Sequence, residues 1–576
     1  MAHNSASPEP HSERFARYRA AGLWNNRTLA DGLEAGAIRR PEATAVADND
    51  ESLTYAQLAL AVAAGVLALR DLDVGSDDAF VLVGGNTVAA VVAYHALLRA
   101  GTTVLLLDRR CGVADVRHAL ELLPGPRRVI VAADERKRLL DGVDAQVMAL
   151  EQFGARSDPT PKTATGRAPR VSSLAWPELK RDAPAVVLFT SGTTSRPKGV
   201  VHSLNTLTAG ADNMARITGA TDQDVLFLVS PLTSIAGIMQ THLAADQHAT
   251  LVLEDSFDPD RSLDRINTVE ATVLGGAPVI AERLLHAAQR RGCRLALRTM
   301  ALGGAMLPRP LLELATATFG IEIARVYGSS EAPNFSGSTP SDDRVRRLAD
   351  DGMLMAGNEV RIGSSDHPQE GLLRGPCLFH GYIDAHDNAS AFEDGWYRTG
   401  DLIEVTDGRV TVVGRLKEVV NRNGLKISLH EIDAALVGLP GAVEHASFAM
   451  PDSFTGERLV VAVRPVDGAE VTLADVVRHL LAQGTAQRKL PEEVVIWDGP
   501  LPRTASGKVV RSRLVMEAPA QRQAKHEGVA TRAKPERRAS AASPARAVSE
   551  RSDARGGLRG RNPCLGVWGS PPGDDD

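Results

Sequence analysis

Residues 185–199 read AVVLFTSGTTSRPKG. The apolar run from Ala185 to Phe189 predicts a short buried strand. The chain then passes through Thr190, Ser191, Gly192, Thr193, Thr194 and Ser195, all small, five of them bearing a hydroxyl. Arg196, Pro197, Lys198 and Gly199 follow. Such a loop suits a phosphate. Glycine lets backbone N–H groups close on an anion, hydroxyls donate hydrogen bonds, and a lysine adds a full charge. It is not a Walker A loop: Pro197 precedes Lys198 and Gly199 follows it, where that motif needs Gly and then Ser or Thr. A solvated linker has the same composition. The strand before the loop and the apolar pair Val200–Val201 after it place it inside a domain.

On the N-terminal side, helical and strand patterns alternate from about 28 to 155. The helix-like TYAQLALAVAAGVLALRDL (54–72) precedes the strand AFVLVGG (79–85). The helix VAAVVAYHALLRAG (88–101) precedes the strand TVLLLD (103–108). This alternation predicts a wound α/β sheet. Residues 156–181, rich in Pro, Thr, Ser and Arg, read as a surface excursion. Alternation resumes from 186 to about 330. Short β-type runs dominate 357–413 and suggest a small barrel-like or distorted sheet. A fresh α/β unit spans about 418–515. Residues 518–576 hold few aliphatics and cannot bury enough apolar area to offset their ordering entropy. Residues 521–561 carry 11 Lys or Arg against four Asp or Glu, so this tail is basic.

The 576 residues, 43% hydrophobic and 24% charged, describe an ordinary globular protein of several domains or fewer large ones. A net charge of −6 argues against general nucleic-acid binding. No stretch reaches the length of uncharged apolar sequence that a transmembrane helix needs. The polar N-terminus lacks the core of a secretory signal. Cys111, Cys293, Cys377 and Cys564 are far apart and match no metal spacing, which suits a reducing cytoplasm.

Further loops share the chemistry of the first. LGGAMLP (302–308) places glycines where backbone can lie flat on a planar ligand. In IARVYGSSEAP (323–333) a strand pattern ends in Tyr327, Gly328, Ser329, Ser330 and Glu331: an aromatic face, hydroxyls and a carboxylate, suited to a base, a phosphate and a magnesium ion. WYRTGD (396–401) ends in Asp401, which suits a pair of ribose hydroxyls. GRLKEVVNRNGLKISLHE (414–431) and PRTASGK (502–508) add basic residues in glycine-containing loops. Taken singly, each has an ordinary structural reading as a turn, a cap or a solvated charge.

In this order, TSGTTSRPKG, GGAMLP, YGSSE, YRTGD, GRLKEVVNRNG and PRTASGK resemble the adenylate-forming superfamily of acyl- and aryl-CoA synthetases, stand-alone adenylation enzymes and luciferases, over about residues 25–515. The opening YRAAGLWNNRTLADGLEAGA (18–37) resembles the subgroup of aryl-acid AMP ligases and of cyclohexanecarboxylate or medium-chain acyl-CoA ligases. Ser195 departs from the family's usual glycine, Ser330 stands for its threonine, and Leu429 replaces a common proline. The stretch 364–376 lacks part of the usual Gly-Glu-Leu-hydrophobic strand.

The resemblance implies an α/β protein with a disordered N-terminus (1–15) and a basic tail (517–576). Between them lie a large adenylation domain (16–416), with wound sheets and a small barrel-like β subdomain, and a hinged α+β domain (417–516). It implies ATP-dependent activation of a fatty, alicyclic or aromatic acid to an acyl-adenylate, then thioester formation with CoA. Mg2+ is the expected metal. A carrier protein is the alternative acceptor, and a non-catalytic nucleotide-binding paralogue is a second alternative. By the resemblance, Thr190, Ser191, Gly192, Thr193, Thr194 and Lys198 wrap the β- and γ-phosphates. Ser330 meets the α-phosphate and Glu331 the magnesium. Tyr327, Gly328, Gly303, Gly304 and Ala305 flank the adenine. Asp401 binds the ribose with Arg415 beside it, and Lys508 is the catalytic lysine. Lys417 is the hinge, and Gly424 lines the CoA path. Ser234, Gly237, Gly275, Gly276, Gly303 and Ser329 line the acid pocket, where no Asp stands to pair a substrate ammonium.

Overall fold

The computed structural model describes residues 11–532, apart from 73, 76–77, 155–177, 191–196, 306, 424 and 505–506. The alternation read from the sequence becomes three sheets among the described residues. The first has a parallel core of Ala79–Gly84, Thr103–Asp108, Arg128–Val131, Gln146–Ala149 and Pro184–Thr190. Lys198–Ser203 adds to its edge antiparallel to Pro184–Thr190, with Thr190 opposite Lys198. The hairpin so formed carries the loop that opened the sequence reading.

The second sheet holds the parallel strands Thr250–Leu253, Val225–Leu228, Val273–Gly276, Thr299–Gly303 and Glu322–Tyr327, side by side in that order. The β-rich segment 357–413 continues this sheet as an antiparallel extension, so no closed barrel is needed. Between Glu370 and Leu372 and between Leu402 and Ile403 the register shifts, the mark of bulges. Bulges bend a sheet locally, which accounts for a barrel-like pattern in an open structure.

Helix Val88–Arg99 is buried from Val88 through Leu98 except at Ala89. An all-round apolar helix must lie inside the molecule. It shares one hydrophobic cluster with Phe80 and Leu82 of the first sheet and with Leu226 and Leu228 of the second.

The third sheet pairs Val419–Arg422, Leu425–Ser428, Ala442–Asp452, Gly456–Pro465 and Glu493–Ile496. Leu459, Val461 and Val463 face one core with Ile432, Leu436, Val476 and Leu480. Val460 and Ala462 face another with Phe448, Trp497, Leu501, Leu514 and Ala518. Period-two alternation thus feeds two cores, and the run LVVAV reads as uniformly apolar.

Both ends of the chain correct the sequence reading. Residues 11–15, expected to be disordered, open the helix His11–Ala20. The Phe15 ring lies 4.8 Å from that of Trp24 and 5.1 Å from that of His380, and Trp24 Nε1 donates to the Pro376 carbonyl at 3.0 Å. Glu517 is likewise not where order ends. Helix Arg511–Arg532 runs through it, and Ala518 is fully buried. Leu514 and Ala518, one helical turn apart, anchor this segment to the same core.

His95, His202 and His242 are buried, and burial pushes His95 and His242 down to about 3 and His202 to about 4. The unfolded chain binds these protons near pH 6.5, whereas the folded chain does not. Stability is therefore full above about pH 6.5 and falls as pH drops toward 4. We expect a loss on the order of several kcal/mol between pH 7 and 5, read as a falling unfolding midpoint; a flat midpoint over that range contradicts the assignment. Ending the chain at Met516 should lower the melting temperature by several degrees, because the second small-domain core loses Ala518. Ending it after Arg532 should not.

Candidate active site

Thr190 and Lys198 face each other across the hairpin. Ser191, Gly192, Thr193 and Thr194 lie outside the described residues, as does Gly424. Lys198 Nζ sits 2.9 Å from Asp387 Oδ1 and 4.7 Å from the centroid of the Tyr382 ring. Tyr382 Oη donates to Glu331 Oε1 at 2.8 Å. A second tie runs from the same strand: His202 Nε2 lies 2.7 Å from the Ser330 carbonyl oxygen, and its Nδ1 lies 3.0 Å from Thr206 Oγ1. The carbonyl only accepts, so Nε2 carries the proton of the neutral ring. The His202 bond fastens the hairpin directly to the Ser330–Glu331 turn, and Tyr382, on strand Gly381–Tyr382 paired with Lys198–Ser203, fastens the same turn from the neighbouring strand.

That turn follows strand Glu322–Tyr327. Ser329 Oγ accepts from the amides of Glu331 and Ala332, each at 3.2 Å, so its hydroxyl folds the loop. A Cβ on Gly328 would lie 2.7 Å from the Ala332 carbonyl oxygen, and only glycine fits there. Glu331 is buried, with its carboxylate toward Tyr382.

Tyr327 Oη donates to Asp401 Oδ2 at 2.9 Å, and Arg415 Nε stands 2.7 Å from Asp401 Oδ1. Asp401 and Arg415 are direct partners across two antiparallel strands. Asp401 is only 4% exposed. Burial and the Asp401 charge raise the Tyr327 pKa well above its ordinary value, and the same carboxylate raises that of Arg415. The phenol stays neutral and the guanidinium stays charged. Each carboxylate oxygen keeps a second lone pair for a hydroxyl donor.

Gly303 ends strand Thr299–Gly303, and Gly304 follows it in the turn. A Cβ on Gly303 would strike the Val326 carbonyl of the next strand. Gly304 has φ +77°, and a Cβ there would lie 3.5 Å from Lys508 Cε and 3.7 Å from its Nζ. The Lys508 chain therefore lies directly over Gly304, and Ala305 beside it is exposed. A turn presents the lysine: Thr504 N bonds Lys508 O at 2.8 Å, and Lys508 N bonds Thr504 Oγ1 at 3.1 Å. Three residues on, Arg511 bonds Glu418 Oε1 at 2.8 Å, Asp433 Oδ2 at 2.5 Å and the Ser447 carbonyl at 3.0 Å. Desolvation of the ammonium and the nearby Arg415 charge lower the Lys508 pKa, against the opposing pull of Asp401, Glu418 and Glu331. Lys417 is exposed in the turn after Arg415.

The residues expected to line the acid pocket divide by role. Ser234 caps helix Ile235–Gln247: its Oγ accepts from Gly237 N at 3.2 Å and donates to the Pro231 carbonyl at 2.7 Å. Gly237 permits close approach of the Pro231 carbonyl, which a Cβ would strike. Gly275 and Gly276 end strand Val273–Gly276, facing Gln240 and Ser230 respectively. The sequence reading missed His202, Tyr382 and Gln240. Only Gln240 left a legible trace, as a lone amide in the apolar stretch IAGIMQ.

Glycine-lined turns, a buried carboxylate and a lysine reaching in from the small C-terminal domain are the arrangement expected of an adenylate-forming enzyme. The AMP-binding enzyme family profile matches residues 33–383, and the AMP-binding enzyme C-terminal domain matches 431–508. The chain belongs to this family. It is 30% identical to a salicylyl-CoA synthase / salicylate adenylyltransferase of a Streptomyces species, over 87% of this chain and 96% of that one. It is 29% identical to the medium-chain fatty-acid–CoA ligase of Escherichia coli K12, over 86% and 91% of the two chains. The fold matches ATP-bound MatB from Rhodopseudomonas palustris at a TM-score of 0.74 and 25% identity, covering 84% of this chain and 98% of that one.

Tyr327→Phe keeps the ring but deprives Asp401 of a hydrogen bond. The expected cost is about 1–3 kcal/mol, measured by urea unfolding of the variant beside the wild type. Unchanged stability would show that the phenol does not support this carboxylate.

Proposed function

We propose that this chain is an acid–thiol ligase of the AMP-forming kind. A carboxylate oxygen attacks the α-phosphorus of ATP and pyrophosphate leaves. The CoA sulfur then attacks the acyl carbon and AMP leaves. The class of reaction is that of the named relatives, which are CoA ligases. The single observation that supports it best is Lys508 lying over Gly304, in the field of Asp401, Glu331 and Arg415.

The first step gathers negative charge at the phosphates and the incoming carboxylate, so catalysis is positioning plus electrostatics. Lys508 meets the carboxylate and the ribose-side oxygen. Asp401 accepts from the ribose hydroxyls, with Arg415 Nε 2.7 Å from its Oδ1. Ser330 faces the α-phosphate. The hairpin from Thr190 to Lys198 takes the β- and γ-phosphates, and Lys198 exchanges Asp387 for them. Gly303, Gly304, Ala305, Tyr327 and Gly328 flank the base.

Among the described residues no group of three or more His, Cys, Asp or Glu side chains is placed to hold a metal alone. A single carboxylate from Glu331 fits Mg2+, which is commonly bound by one or two carboxylates plus substrate phosphates. When bound, the ion neutralises phosphate charge.

The substrate is a small carboxylic acid, aliphatic or aromatic. Residues 417–516 form the moving domain on a large domain of 16–416, and Lys417 is the hinge. A turn there withdraws Lys508 and brings the Gly424 loop to the thiol path, so one site serves both steps. No helix among the described residues is long and apolar enough to cross a membrane.

ATP–pyrophosphate exchange across a panel of acids, followed by CoA thioester detection, tests the reading; no exchange with any acid overturns it. Lys508→Ala should cut exchange on the order of 100- to 1000-fold, yet spare thioester formation from supplied acyl-adenylate. Equal loss in both half-reactions would refute the division of labour.

A further inference from the structure

We infer that His202 is a positioning residue for adenylation: by holding the Ser330 carbonyl, it aims the Ser330 hydroxyl at the α-phosphate. This rests on the adenylation reading above and adds to it a residue that touches no substrate.

Lys198, Val200 and His202 are spaced by two along strand Lys198–Ser203, so they share one of its faces. Tyr382 stands opposite Val200 on the neighbouring strand and adds to the same face. Within this group His202 is fully buried, and burial lowers its pKa to about 4. At neutral pH it therefore supplies a directed N–H and no charge. The ring is braced at its other end. Nδ1 lies 3.0 Å from Thr206 Oγ1, in the first turn of helix Leu204–Thr218. That hydroxyl in turn accepts from the Ser203 amide at 3.0 Å. The capped end of a helix thus sets the angle from which Nε2 meets the Ser330 carbonyl oxygen, 2.7 Å away.

The carbonyl belongs to the peptide between Ser330 and Glu331. The N–H on the opposite edge of that peptide donates to Ser329 Oγ at 3.2 Å. Two bonds on opposite edges fix the plane of a trans peptide, and with it the directions in which the Ser330 and Glu331 side chains leave the chain. The Glu331 carboxylate has a further anchor in Tyr382. The Ser330 hydroxyl bonds none of the described residues, so its direction is set by its backbone alone. His202 controls that backbone from the other sheet. Misplacing a reacting contact by about 1 Å costs on the order of 100-fold in rate.

The test is ATP–pyrophosphate exchange by full-length variants. The amide nitrogen of Gln reaches the place of Nε2 and keeps a donor for the carbonyl. That of Asn reaches only the place of Nδ1. His202→Asn should slow saturated exchange on the order of 10- to 100-fold with the KM for the acid unchanged, and His202→Gln should restore most of the rate. On a Ser330→Ala background, with no hydroxyl to aim, His202→Asn should cost nothing more. A histidine that only packs the core would cost the same on both backgrounds. Should His202→Asn not fold, His202→Phe, a ring without the N–H, takes its place. Equal losses on the two backgrounds, His202→Gln as slow as His202→Asn, or failure of both His202→Asn and His202→Phe to fold overturns this inference alone. Wild-type exchange with no acid overturns the activity reading and this inference with it.

Discussion

Asp401 is a charged group almost without access to water, and a buried carboxylate persists only where partners replace its hydration. Its partners come from both halves of the long sheet. Tyr327 ends the parallel part, and Arg415 belongs to the antiparallel extension. The Tyr327–Asp401–Arg415 cluster therefore joins the wound α/β core to the β-rich segment at the point where the small domain begins. Remove the charge and that junction loses its reason to be polar. Remove either partner and one carboxylate oxygen loses its neighbour inside the protein.

Around this cluster the site is assembled from loops that are short because their backbones touch. Gly303 against Val326, Gly328 against Ala332 and Gly237 against Pro231 are contacts that a single methyl group forbids. Side chains then fasten one loop to another: Tyr382 to Glu331, His202 to Ser330. The hairpin of Thr190 and Lys198 and the Ser330–Glu331 turn, 128 residues apart in sequence at the His202–Ser330 bond, behave as one surface. Preorganisation of this kind is what electrostatic catalysis requires.

Much of this was legible in the residues. The helices read from 54–72 and 88–101 and the strands read from 79–85 and 103–108 stand at Tyr55–Arg70, Val88–Arg99, Ala79–Gly84 and Thr103–Asp108, because apolar periodicity and burial agree there. The glycine motifs pointed to the loops because a missing side chain is itself a constraint. What stayed hidden depends on contacts across long sequence gaps. His202 is an ordinary strand residue until Ser330 arrives beside it, and Ser234 looks like a pocket wall until its hydroxyl is seen capping a helix. Composition misjudged both ends of the chain for the same reason: a few buried side chains, Phe15 against Trp24 and His380 at one end and Leu514 with Ala518 at the other, anchor polar segments in a way no average records. The barrel-like pattern of 357–413 is produced by bulges in an open sheet.

The two cores of the small sheet have a mechanical consequence. A sheet covered on both faces bends little, so the unit that carries Lys508 is stiff enough to serve as a lever in the proposed turn about Lys417. Arg511, bonded to Glu418, Asp433 and Ser447, clamps the lysine's turn to the root of that lever, beside the turn at 416–418. Strand Gly456–Pro465 alone is about 33 Å long at ~3.3 Å per residue, so a pivot of only ~10° at its root sweeps the tip by about 6 Å. In that proposed turn, a small torsional change in two or three backbone bonds becomes a displacement larger than a lysine's hydrogen-bonding reach. The amplification needs no flexibility inside the moving part, only the absence of it.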